Sequence, residues 1–215
     1  MKRYFHSELE DLRSQLVLLG EKAMDSVRLA TRALMEGDIS FVEQVLSMDD
    51  AIDDLEVEID REAIRYISLR APVASDLRLL TVGIKASHDL ERVGDEATNI
   101  AKRTKRINAE GPTPDFLELP EMSLIALEML RDALDSFVEE DPEKAIAICR
   151  RDKEVDEMDR RNFTRIADIM KINPHDINSL LELVFISRSF ERVADHATNI
   201  AEEVVFLFSG QEKKV

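Results

Sequence analysis

Apolar residues fall on one helical face from the start of the chain. Leu9, Leu12, Leu16, Leu19, Ala23, Val27, Ala30 and Leu34 recur at steps of three or four, the spacing of a buried helix stripe. Ser7 with Glu10 reads as a capping box opening this first helix. Gly37 stops it, and Asp38 is placed to cap a second helix that runs to about Arg70, ahead of Pro72. A third helix follows from about Ala74 to Ile107. The same punctuation then returns: a fourth helix from near Pro120 to about Glu139, Asp141-Pro142 opening a fifth that ends near Ile172, and Asn173-Pro174 opening a sixth that runs to about Ser209-Gly210. Between the sets, residues 109–119 hold Gly111, Pro112 and Pro114 and no helical period.

The pattern predicts an all-α chain of two tandem, antiparallel three-helix bundles, residues 1–108 and 120–215, with 109–119 as linker. The halves are related in sequence. The run from Leu90 to Ala101 aligns with Phe190 to Ala201 at an offset of 100, and nine of the twelve pairs are identical. Asp49 and Asp53 align with Asp152 and Asp156, and Asp38 with Asp141. Internal duplication is the simplest account. The copies differ at informative places: Asp60 is matched by Phe163, Asp89 by Ser189 and Glu96 by His196.

Composition agrees with long helices. Glycine and proline number six each, and there is no Trp, with two Tyr and nine Phe, a poor basis for a β-sandwich. The net charge of −16 excludes a phosphate-backbone ligand such as nucleic acid and disfavours direct contact with an anionic membrane, but suits docking on a basic face of a membrane protein. Cys149 is the one cysteine, so an intrachain disulfide is impossible. Met1–Glu8 shows no signal-peptide core and no apolar run approaches a membrane span. A cytoplasmic location is expected.

Charge becomes chemistry through its placement. Glu91 and Asp95 lie four apart on the third helix, with Thr98 and Asn99 continuing the stripe; Glu191, Asp195, Thr198 and Asn199 repeat it on the sixth. The second helix carries Asp49, Asp53, Glu56 and Asp60, and the fifth Asp152, Asp156 and Asp159. Like charges at this spacing repel by a few tenths of a kcal/mol per pair, and facing two such stripes compounds the cost. Arg92, Lys102 and Arg192 are the internal cations at hand; the external candidate is a metal ion. Oxygen donors suit iron, Mn²⁺, Mg²⁺ or Ca²⁺ better than Zn²⁺. The candidate ligands are Asp49, Asp53, Glu91, Asp95 and Asn99 in one half and Asp152, Asp156, Glu191, Asp195 and Asn199 in the other. His6, His88 and His175 read as surface or cap residues, His196 is ambiguous, and Cys149 reads as a core filler. A solvated acidic face without metal is the competing reading. A two-metal hydrolase is a weaker one, because no cationic substrate clamp stands near the stripes beyond Arg92 and Arg192.

Arg70-Ala71-Pro72, Ser75-Asp76-Leu77-Arg78 and the twin strings Glu91-Arg92-Val93-Gly94-Asp95 and Glu191-Arg192-Val193-Ala194-Asp195, each leading to Ala-Thr-Asn-Ile-Ala, resemble the PhoU family along essentially the whole chain. The resemblance implies a non-enzymatic regulator of phosphate uptake that represses the phosphate-starvation response. It implies two partners, the ATPase subunit of the phosphate ABC transporter and a membrane sensor histidine kinase, and a homodimer or higher oligomer. It also implies multinuclear metal clusters held by acid-x-x-x-acid motifs, here Glu91/Asp95, Glu191/Asp195, Asp49/Asp53 and Asp152/Asp156. The Asp76-Leu77-Arg78 string has no counterpart after Pro174, so the two halves need not hold metal equally.

Overall fold

A computed structural model describes residues 6–111 and 116–209. Helix α1 spans His6–Glu36, α2 Ile39–Arg70, α3 Ala74–Glu110, α4 Leu119–Glu139, α5 Pro142–Ile172 and α6 Ile177–Ser209, with a 3₁₀ turn at Pro174–Asp176 leading into α6. No strand occurs among the described residues. Residues 112–115 of the predicted linker, and Gly210, lie outside them.

The punctuation acts as its chemistry requires. Gly37 takes a φ of +67°, a left-handed conformation that glycine adopts without a Cβ clash, and its N–H donates to the Ala33 carbonyl at 3.0 Å. Asp38 then accepts from the Ser40 N–H at 2.8 Å, and Asp141 accepts from the N–H groups of Glu143 and Lys144 at 3.0 and 3.1 Å. Three boundaries differ from the sequence reading. Helix α1 already includes His6, so Ser7 sits inside the first turn and not at the cap. Helix α3 continues past Ile107 to Glu110, whose carboxylate accepts from Ser179 Oγ at 3.0 Å and so is held in place by α6. Asn173-Pro174 opens a 3₁₀ turn, and α6 proper begins at Ile177.

All eight apolar residues of the predicted α1 stripe are buried, each Leu contributing on the order of 1.5–3 kcal/mol by leaving water. Consecutive helices run antiparallel: Arg70 near the end of α2 forks onto Glu8 near the start of α1 at 3.0 and 3.1 Å. The two triplets also lie side by side with a continuous apolar core. Helix α1 meets α4 so closely that a Cβ at Gly20 would collide with Leu134. Helix α3 meets α6 antiparallel, pinned by Lys85–Glu203 toward one end and Arg103–Glu182 toward the other, both at 2.7 Å. Four helices therefore form the middle of the molecule, and α2 and α5 flank them.

Asn162 is a polar side chain fully enclosed in the second half. Asn162 on α5 accepts from the Glu118 N–H at 3.2 Å and donates to Ser187 Oγ at 3.2 Å and Met122 Sδ at 3.1 Å. It ties α5 to the start of α4 and to α6, with its bonding capacity used as burial demands.

Candidate metal centres

The stripes on α2 and α3 face one another. Thr98 Oγ1 on α3 donates to Asp49 Oδ1 on α2 at 2.9 Å. The Asp53 carboxyl is raised above its usual value by burial first, then by the neighbouring Asp49 on its own helix and Asp95 across the gap. Burial, followed by Asp95, raises Glu91; burial, followed by Asp60, raises Glu56. Glu91 Oε2 and Asp60 Oδ1 are buried oxygens that accept no hydrogen bond. Arg92 lies along the rim, 2.8 Å from Asp95 Oδ2 and 3.4 Å from Glu91 Oε2. His88 is exposed, its Nδ1 3.9 Å from Glu56 and 4.0 Å from Glu91.

The second half repeats this between α5 and α6. Thr198 Oγ1 donates to Asp152 Oδ1 at 3.4 Å. Burial, then Asp195 and Asp156, raises Asp152; burial, then Asp156, raises Asp195. Burial pushes Glu191 up to about 7, with Asp195 the next cause and Arg188 opposing it. The Glu191 side chain is only 10% exposed, and its Oε2, like that of Glu91, has no hydrogen-bond partner. Asp156 pairs with Arg160 of its own helix at 3.4 Å.

Eight of the ten sequence-derived candidates thus gather as two facing sets: Asp49, Asp53, Glu91 and Asp95, and Asp152, Asp156, Glu191 and Asp195. The set suits hard cations by donor type, because its donors are oxygens and each half holds a buried oxygen that accepts no hydrogen bond. It is not closed around a point: among the described residues, no three His, Cys, Asp or Glu side chains converge in a ligating arrangement.

Asn99 and Asn199 do not join the sets. Asn99 Nδ2 is 3.4 Å from Glu96 Oε2, and Asn199 Nδ2 donates to Asp89 Oδ1 at 3.2 Å. The reason is helical drift. At 3.6 residues per turn, a residue eight positions after Glu91 lies about 80° round the helix, whereas one seven positions on lies about 20° off. Thr98 and Thr198 stay on the stripe, and the asparagines turn toward the α3–α6 seam.

That seam is what sequence reasoning missed. Arg192 leaves its own stripe and donates to Glu96 at 3.0 Å, and His196 Nδ1 sits 2.8 Å from Asp89. Three residues at which the repeat breaks, Asp89, Glu96 and His196, thus pair across the halves, Glu96 with the repeat-conserved Arg192. Their complementary charges at repeat-breaking positions were the available signal. Besides Arg160 on Asp156, the second stripe is met by Arg188, 3.2 Å from Asp159 and 3.1 Å from Glu191. Lys102 is exposed. Cys149 packs half-buried against the core, its thiol raised by burial.

No helix among the described residues is long and apolar enough to cross a membrane. The PhoU domain model matches residues 16–104 and again 119–204, one stretch in each bundle. The phosphate-specific transport system accessory protein PhoU homolog of Clostridium acetobutylicum is 35% identical over 212 residues, covering 98% of this chain and 97% of that protein. Its counterpart from Pseudomonas aeruginosa is 36% identical over 99% of this chain and 88% of its own length. The crystal structure of PhoU from Pseudomonas aeruginosa superposes with a TM-score of 0.94 at 36% identity, covering 96% of this chain and all (100%) of the other. That of the phosphate transport system regulatory protein PhoU from Streptococcus pneumoniae gives 0.91 at 28% identity over 98% and 100%. Two related bundles, each with its own facing acidic stripes, and a match in both halves together show that the chain belongs to the PhoU family.

Proposed function

We propose that this chain is a cytoplasmic accessory protein of phosphate uptake that acts by binding and not by turnover. In this reading it docks on the ATPase subunit of a phosphate ABC transporter and on a sensor histidine kinase, and represses phosphate-starvation signalling while phosphate is plentiful. It works as a homodimer or higher oligomer. The reading is supported by likeness along nearly the whole chain to proteins named as accessory proteins of the phosphate-specific transport system and to a solved regulatory protein of phosphate transport. A net charge of −16 suits contact with basic protein surfaces at the membrane.

The acidic stripes are proposed as hard-cation sites, iron or Mn²⁺ foremost, with Mg²⁺ and Ca²⁺ as alternatives and Zn²⁺ less suited. The observation that supports this recurs in both halves: a buried glutamate oxygen that accepts no hydrogen bond, Glu91 Oε2 and Glu191 Oε2, facing further carboxylates. Asp49, Asp53, Glu91 and Asp95 would hold metal in one half, and Asp152, Asp156, Glu191 and Asp195 in the other. A bound cation would offset the repulsion between facing helices and lock α2 onto α3 and α5 onto α6. The chain's own residues set the geometry: Thr98 orients Asp49 and Thr198 orients Asp152.

A second reading, a metal-free helical scaffold, draws support from the ion pairs that Arg92 and Arg188 already make with the stripes. Capture experiments with the untagged chain test the adaptor role. Retention of both the transporter ATPase and the sensor kinase is the expected result, and retention of neither contradicts it. Elemental analysis of the same preparation separates the metal-bound reading from the scaffold.

A further inference from the structure

The two halves carry different basic residues at the same repeat position, Arg188 and His88. In the second half Arg188 reaches from α6 across to α5, its Nη1 3.2 Å from Asp159 Oδ2 and 3.1 Å from Glu191 Oε1. These carboxylates are 15% and 10% exposed, while Arg188 is 55% exposed, so the guanidinium bridges the two helices from the open edge of the stripe, beside Glu191. One hundred positions earlier the residue is His88, exposed and no closer than 3.9 Å to a stripe carboxylate. The first half does have Arg92, whose ion pairs run along α3 to Asp95 (40% exposed) at 2.8 Å and to Glu91 (17% exposed) at 3.4 Å, with a weaker electrostatic pull on Glu56 of α2. An exposed pair within one helix contributes little and yields readily to a divalent ion.

The neighbourhood of Arg188 points the same way. Phe163 stands where the first half has Asp60, so the α5 stripe has one carboxylate fewer than the α2 stripe. Arg188, Phe163 and Phe185 line a groove of about 450 Å³, which gives the guanidinium room to swing out with the helices in place. Glu191 Oε2 remains buried and without a hydrogen bond beside it, an acceptor that the arginine leaves unsatisfied.

We infer that Arg188 is a built-in counter-cation of the α5–α6 site, which a metal ion must displace, so that the α2–α3 site fills first and the second half is gated. This rests on the metal-binding reading above and adds an order of filling to it.

Titration of the metal-stripped full-length chain with MnCl₂ by calorimetry tests it. The wild type should show one strong set of sites, lost in Glu91→Gln and kept in Glu191→Gln. Arg188→His, which installs the first half's residue, should gain a second set with affinity raised at least about tenfold by loss of the competing charge. Adding Glu191→Gln should abolish that set. If wild type binds Mn²⁺ and Arg188→His does not gain, the gate is overturned while the metal reading stands. Equal, Arg188-independent filling of both halves also overturns it. No binding by wild type or either Arg188 variant overturns both readings. Far-UV circular dichroism checks folding, and Arg188→Gln decides the matter if the histidine variant loses helicity.

Discussion

Glu191 offers a sharp test of whether the acidic sets strain the metal-free protein. Its carboxyl is pushed from the usual 4.5 up to about 7, chiefly by burial, then by Asp195. The folded state therefore holds the proton more tightly than the unfolded chain. Below pH 4.5 both states are protonated and the penalty is absent; it grows as pH rises above 4.5 and is complete once pH exceeds about 7. The full displacement corresponds to about 3 kcal/mol, and relaxation of Asp195 and Arg188 around the charge reduces the expected effect to about 1–2 kcal/mol. Glu191→Gln keeps the shape and removes the titration. Urea unfolding in the presence of EDTA should show wild type losing about 1–2 kcal/mol relative to Glu191→Gln between pH 5 and pH 8, or about 2–8 °C in Tm for a chain of this size. Titrating groups remote from Glu191 are common to both proteins and cancel in the difference, leaving Glu191 and the coupled Asp195. Parallel stability curves for the two proteins would refute the claim that Glu191 is held ionised against its environment.

Three further substitutions probe the frame. Asp141→Ala removes the oxygen that caps Glu143 and Lys144 and should cost about 1 kcal/mol in urea unfolding. Asn162→Ala deletes the bonds to Glu118, Ser187 and Met122 from a fully enclosed site, and about 2–3 kcal/mol should be lost. Arg192→Ala strands Glu96, whose side chain is 10% exposed; a loss of about 1–3 kcal/mol is expected, with Glu96→Gln in that background recovering part of it. A thermal melt in which the double variant is no more stable than Arg192→Ala would show that the seam pair does not hold the halves together.

The elements were legible because their signals are local. The apolar stripe from Leu9 to Leu34 can be buried only as a helix, and Gly37, Asp38 and Asp141 mark ends through backbone chemistry that needs no distant partner. Helix ends that meet distant partners were not legible: the last turn of α3 carries Glu110, which accepts from Ser179 on α6. The same division holds in the acidic sets. Spacing within one helix placed Glu91 beside Asp95, and antiparallel neighbours put Asp49 and Asp53 opposite. It could not say which side chains would cross between the halves, so Arg192 was assigned to its own stripe, though it serves Glu96, and Arg188 went unnoticed. Asn99 and Asn199 were grouped with the acids by counting in fours, which overruns the helical period within two steps.

Anomalous diffraction from crystals of the untagged chain soaked in Mn²⁺ tests the central claim most directly. The account predicts peaks between α2 and α3 within coordination distance of Glu91 and Asp95, absent from crystals of Asp95→Asn. Fully soaked wild-type crystals with no anomalous density beside Glu91 or Glu191 would contradict it.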